Sequence, residues 1–342
     1  MEKNYNIDIN YIDYLINIIS NNGLFEYSSD IDVLNKLKRL LNNGESILVE
    51  DNDLRSRLQE NSEYLSLYNR VYPYVRQIIK SSVIDEDDNT IFNKIKLSDN
   101  DVIELAQEFF AKQNSSYSQL MRDFLEDASD HLKFIPPTPH TEGESYFIRS
   151  TGDCFCIVPN YSNIMKFSIF THECTHIFDW YINDNFLNNF LIAESHSLLM
   201  ELLACDYLNN LLNLDKENIK RQLQIHKLIK TDSMSIYEIM QMLYLYKRFG
   251  EDGIKKIKRV YSPKYLEYIS MYSLDVFFRY QLSYLIAIEL YILYQSDKEK
   301  TLWLIREIVN KGNFKTIEEV LAKEKIEIGE HFTDYERKLI LK

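Results

Sequence analysis

Apolar residues recur at helical spacing, with polar residues between them, along most of the chain. Ile9 to Ile19 carries one such stripe and runs into Asn21-Asn22-Gly23, a C-terminal stop signal. Asp30 is placed to cap a second helix that passes through Leu34, Leu37 and Leu41 and stops at Gly44. Leu54 to Ile79 has a longer helical pattern, with an interruption expected near Pro73 because proline lacks the backbone donor. Ser98, followed three residues later by Asp101, has the form of a capping box for a helix over Val102 to Ala111. Gln119 to Leu132 predicts one more amphipathic helix. None of these segments carries recognisable chemistry, and residues 1–133 read as a helical wall or lid.

The texture changes at Phe134 to Ser145, where Pro136, Pro137, Pro139 and Gly143 break any helix and predict a linker or loop. Two strand-like runs follow, Ser145 to Arg149 and Cys154 to Pro159, separated by Ser150-Thr151-Gly152-Asp153, a pattern that predicts a β-hairpin. From Ser162 the helical pattern resumes nearly to the end, with one helix over 162–182 and another over 190–210. The expected class is mostly α: a large helical body with a small hairpin or sheet over 145–159 beside a helix pair. Residues 134–342 form the part expected to carry the chemistry.

Composition sharpens this picture in three ways. Glycine (8) and proline (6) are scarce among the 342 residues, which favours long helices over many-stranded sheets. The net charge of −13 lacks the basic footprint that phosphate binding needs, so nucleic acid is not the expected partner. A core of this size needs no metal for its stability, so any metal is expected to be catalytic. The four cysteines, Cys154, Cys156, Cys174 and Cys205, are too few and too irregular for a disulfide scaffold. The polar, acidic start Met1 to Asn10 is unlike a signal peptide, and no apolar run reaches the eighteen or so residues of a membrane span. A reduced, cytoplasmic protein is the expectation; the oligomeric state is left open.

The sharpest chemical feature is Thr171-His172-Glu173-Cys174-Thr175-His176. On a helix, His-Glu-x-x-His sets two imidazoles one turn apart on one face, where both reach a single zinc ion. Glu173 then lies close enough to take a proton from an activated water. A catalytic zinc needs a third protein ligand and an open position. Glu194, among apolar residues on the next predicted helix, is the best candidate, because an unpaired carboxylate there would be costly. Glu201, two turns on along the same face, suits a hydrogen bond to the outer nitrogen of a ligating histidine. His196 is a rival ligand, but two residues from Glu194 it points well away from it. His131, His140, His226 and His331 are scattered and read as surface or capping residues. Cys154 and Cys156 share a strand face without partners for a closed zinc site, so they read, with Cys174, as packing thiols.

Four segments together resemble the oligoendopeptidase F and thimet oligopeptidase family. They are Gly143-Glu144-Ser145-Tyr146-Phe147, Asp153 to Tyr161, the His172–His176 motif, and Phe190-Leu191-Ile192-Ala193-Glu194. Tyr280 to Leu290 resembles the family's tyrosine-rich helix, and Leu304 to Leu321 its closing helical segment, so the resemblance covers roughly residues 143–325. It implies one zinc ion, short or unfolded peptides as substrates, and a deep cleft between helical walls. It also implies a tyrosine that stabilises the oxyanion: Tyr280 first, with Tyr284 or Tyr272 as alternatives. The chain departs from the pattern in its shorter length, its shorter connection from His176 to Glu194, and Asp179 where the family often has a histidine. The family has a histidine just before the tyrosine-rich helix, and this chain has none there, between Tyr272 and Asp275. The short length raises the expectation of one dedicated peptide. The rival readings are a non-catalytic peptide-binding module on a peptidase frame and a helical scaffold with an accidental motif.

Overall fold

The computed structural model describes residues 7–21, 28–43, 65–80, 95–126, 128–137, 143–182, 190–212, 234, 236–262, 266, 274–309 and 314–341. Two compact units emerge. One comprises Met1–Ile47, Asp87–Asn189 and His196–Asn218; the other comprises Leu48–Glu86, Phe190–Ser195 and Ile219–Lys342. Each therefore draws on both sides of residue 133.

The first unit is built round a three-stranded sheet. Strands β1 (Leu132–Ile135), β2 (Glu144–Ile148) and β3 (Asp153–Pro159) lie in the order β1-β3-β2. β2 and β3 form the predicted hairpin, antiparallel with Tyr146 opposite Phe155. β1 joins on the other side, parallel to β3, with Lys133 opposite Ile157. The sequence placed Leu132 in a helix and 134–145 in a linker, and both expectations are corrected. The preceding helix ends at Glu126, a single turn spans Ala128–His131, and strand begins at Leu132. A four-residue strand with only its ends buried shows no alternation, so the partner β3 decides its state.

Period-2 alternation then divides the sheet's two faces. Tyr146, Ile148, Phe155 and Ile157 point to one side and pack in a core cluster with Ile12, Leu15 and Ile19 of α1 (Ile9–Asn21) and Leu34, Leu37 and Leu40 of α2 (Ser28–Asn43). The spacing i, i+3, i+7 on the first helix and i, i+3, i+6 on the second forms the stripe that covers the sheet. On the other side, Ser145 and Phe147 face the helix Ile164–Ile182: Ser145 bonds Glu173, and Phe147 stacks on Trp180 with ring centroids 4.8 Å apart. A sheet covered on both faces is buried throughout, as β3 is from Cys154 to Pro159.

Two further helices abut this core. Asp99–Gln113 begins as predicted, with Ser98 accepting from the Asp101 backbone N–H at 3.2 Å and Asp101 accepting from the Ser98 N–H at 2.7 Å. Ser115–Glu126 follows after Asn114.

In the second unit Leu65–Lys80 is one continuous helix, with Pro73 inside it on the exposed side. The predicted interruption does not occur there; residues 54–64 lie outside the described ones. Leu274–Ser296 is buried at every position from Gln281 to Leu290 and packs against Leu65–Lys80, Lys298–Val309 and Phe332–Leu341. Its apolar residues fall on every side, with Gln281, Ser283 and Glu289 buried among them, as in a core helix.

Candidate metal centre

The helix Ile164–Ile182 is buried on nearly every side, and His172 and His176 are among its few positions that keep solvent access. One turn apart, their Nε2 atoms approach to 3.1 Å with the rings nearly perpendicular. The next helix, Phe190–Leu212, brings Glu194 to the pair, and one ligand atom from each of His172, His176 and Glu194 lies within 4.8 Å of the others. Two imidazole nitrogens and one carboxylate oxygen so placed are the three protein donors that would hold a zinc ion.

The surrounding bonds leave the right atoms facing inward. Glu201 accepts from Ser168 Oγ at 2.7 Å and lies 3.3 Å from His172 Nδ1. Ser197 Oγ lies 3.0 Å from His176 Nδ1 and 3.3 Å from its Nε2. A proton held on His172 Nδ1 by Glu201 leaves its Nε2 lone pair for a metal. Glu194 and Glu201 are both at most 5% exposed, so two carboxylates are buried beside the two imidazoles. A divalent cation would offset that excess of buried negative charge, and the donor set of two nitrogens and one oxygen suits zinc.

Glu173 turns the other way, toward the sheet. Ser145 Oγ donates to its Oε2 at 2.6 Å and lies 3.1 Å from its backbone carbonyl. Gly143 makes the close approach possible: a Cβ there would meet Glu173 Oε1 at 2.6 Å and Ile169 Cγ2 at 2.5 Å. The carboxylate is thus cradled by the start of β2.

The remaining candidates fall as follows. His196 is fully buried and bonds Asp179 Oδ1 through Nδ1 at 2.7 Å and Tyr117 OH through Nε2 at 3.0 Å, so it is engaged away from the histidine pair. His131 is not a surface residue. It stacks on Phe155 and lies 3.0 Å from Asp153 Oδ1. Burial works against the Asp153 carboxylate, but bonds from His131, Thr151 and Tyr11 outweigh it and hold its pKa below the usual value. His331 is half exposed and pairs with Glu289. All four cysteines are buried, and burial, with Glu173 among the nearby charges, pushes the thiols of Cys156 and Cys174 well up. Tyr280 is partly buried on Leu274–Ser296, and Tyr284 is fully buried. Tyr272, His140 and His226 lie outside the described residues.

Gly143, Ser145, Ser168 and Ser197 were not singled out from the sequence. Ser197 alone carried a local signal, three residues beyond Glu194 on the same helix face. Among the described residues no helix is long and apolar enough to cross a membrane.

No protein-family model matches the chain, and no curated protein matches it. Solved structures do. A structure assigned as oligoendopeptidase F matches with a TM-score of 0.54 and 12% identity, over 94% of this chain and 65% of that one. PZ peptidase A, solved with an inhibitor, matches with a TM-score of 0.55 and 12% identity, over 99% of this chain and 70% of that one. A structure assigned as oligoendopeptidase F from Bacillus anthracis str. Ames matches with a TM-score of 0.52 and 13% identity, over 95% of this chain and 65% of that one. The chain spans less than two thirds of the length of the two oligoendopeptidase F chains. At such identities the likeness speaks to architecture, and this chain has, at the level of fold, the architecture of the oligoendopeptidase F and PZ peptidase structures.

Proposed function

We propose that the protein is a zinc-dependent metallopeptidase that hydrolyses peptide bonds in short or unfolded peptides. One observation carries the reading: the donor atoms of His172, His176 and Glu194 converge while Glu173, between the two histidines in sequence, is held apart from them by Ser145. In this reading His172, His176 and Glu194 hold one zinc ion, and Glu201 keeps His172 in the orientation and tautomer that binds. Zinc bound there would supply Lewis acidity at the scissile carbonyl and lower the pKa of water at the site. Glu173 takes that water's proton and passes it to the leaving amine. Ser145 and Gly143 fix where the carboxylate stands while it does so. A tyrosine hydroxyl, Tyr280 first among the candidates, donates to the oxyanion. Strand β2 lies at an edge of the sheet, where an extended peptide could add as a further strand.

The test joins metal analysis of the purified protein to digestion of a mixed peptide pool. One zinc per chain and cleavage of peptides are expected. Glu173→Gln is expected to keep the zinc and lose nearly all cleavage. Undiminished cleavage by that variant would remove Glu173 from the reaction, and a wild-type protein that binds no zinc would remove the reading itself.

A further inference from the structure

The helices Ile164–Ile182 and Phe190–Leu212 are joined side chain to side chain in a descending series. Ser168 and His172 meet Glu201, His176 meets Ser197, and Asp179 meets His196. The helices therefore run in opposite directions. The first three contacts involve the proposed metal ligands or the groups that orient them. The last includes none of the proposed ligands, yet it is the most deeply buried: Asp179 and His196 are each 1% exposed or less.

Burying a carboxylate and an imidazole together is expensive unless each is satisfied. An imidazole with its proton on Nδ1 donates to Asp179 Oδ1 at 2.7 Å and accepts from Tyr117 OH at 3.0 Å through Nε2. Among the described residues Asp179 Oδ2 finds no hydrogen-bond partner, and Oδ1 bonds His196. A single well-directed bond in so dry a place defines one relative position of the two helices.

Helix geometry shows what that position controls. At about 100° per residue, His196 and Glu194 stand about 160° apart round their helix, with Ser197 between them. The helix is thus gripped at both flanks of the side that meets the motif helix. Any roll that slackened the His196 flank would carry Glu194 away from His172 and His176.

We propose that Asp179 and His196, steadied by Tyr117, are positioning residues for the metal site: they lock the roll and register that present Glu194 to the two histidines. The inference rests on the zinc reading above.

The experiment measures zinc affinity by chelator competition on the full chain, beside helical circular dichroism and thermal melting. The principal variant is the double substitution Asp179→Leu/His196→Leu. It removes both polar partners at similar volume, so no lone buried charge is left to unfold the protein. It is expected to keep the wild-type helical signal and to bind zinc ~10- to 100-fold more weakly, the usual effect of losing groups that orient ligands. Tyr117→Phe, which deletes one hydroxyl, provides the milder case and should weaken binding by a smaller factor. Asp179→Asn keeps an oxygen acceptor for His196 and should bind more tightly than the double variant. Folded variants with wild-type zinc affinity would overturn the proposal while leaving the zinc reading in place. A wild-type chain that binds no zinc would overturn both.

Discussion

At the scale of single residues, the proposed general base is the clearest case of function depending on a neighbour's size. Glu173 is approached so closely by Gly143 that a single added methyl would stand 2.6 Å from its Oε1 and 2.5 Å from Ile169 Cγ2. Glu173 Oε1 is the end of a flexible side chain, whereas Ile169 Cγ2 belongs to a stiff β-branched one on the motif helix, so the carboxylate is the group that Gly143→Ala should displace. Misplacement of a reacting group by about 1 Å costs roughly 10²-fold in rate. We therefore expect kcat/KM of Gly143→Ala to fall by about that factor with zinc content unchanged, since His172, His176 and Glu194 lie outside the cradle. Wild-type turnover in that variant would show that the cradle does not set the base. His172, Glu173 and His176 were legible from spacing alone, because four residues are one helical turn. The cradle was not legible, since Gly143 and Glu173 meet only when β2 is laid on the motif helix.

Among the elements, helix starts were written most openly in the sequence. Ser98 and Asp101 form the capping box their spacing predicted, at the head of the helix Asp99–Gln113. The Asp101 carboxylate lies below its ordinary pKa chiefly because Ser98 hydrogen-bonds to it. The same turn is tied into the first unit by Lys166, buried on the motif helix, whose Nζ reaches Asp99 at 2.7 Å and Asn160 at 2.9 Å. Ser98→Ala should cost about 1 kcal/mol, as the loss of a cap usually does. Urea unfolding that shows a lower midpoint with an unchanged slope would register it. An unaltered midpoint would mean that Lys166 and its partners hold the helix start unaided. Elements with weak periodicity were misread for a physical reason. β1 is four residues long and owes its strand state to β3, while Leu65–Lys80 continues past Pro73, which stands on the exposed side of the helix.

On the scale of the whole molecule, the C-terminal segment offers a test through pH. Within the second unit, Glu289 of the buried helix Leu274–Ser296 accepts from the His331 backbone N–H at 2.9 Å and lies 2.7 Å from His331 Nδ1. The bond to Glu289 raises the His331 pKa above its ordinary value of 6.5, while burial raises that of Glu289. A histidine with a raised folded pKa contributes stability that is present below its unfolded pKa and lost as pH rises through the folded one. Melting temperature should therefore decline as pH climbs from about 6.5. His331→Gln should flatten that decline, and an unchanged pH slope in the variant would assign it elsewhere. The effect should be modest, because His331 is 44% exposed. The same scale explains why the fold is shared at 12–13% identity while no family model matches. Architecture is specified by which positions are buried, and many sequences satisfy one burial pattern.

Whatever depends on neighbours within one or two helical turns was determined by the sequence itself: the mostly helical class, the capped start at Ser98, the hairpin of β2 and β3, and the two imidazoles on one face. Those features follow from the 3.6 and 2.0 residue periods of the backbone, which no tertiary contact has to supply. The tertiary structure decided what meets what across the chain: β1 against β3, Ser145 and Gly143 against Glu173, Glu201 against His172, Asp179 against His196. Each of those pairings depends on the register and roll of two separate elements, which cooperative packing of the whole core selects and local propensity does not encode.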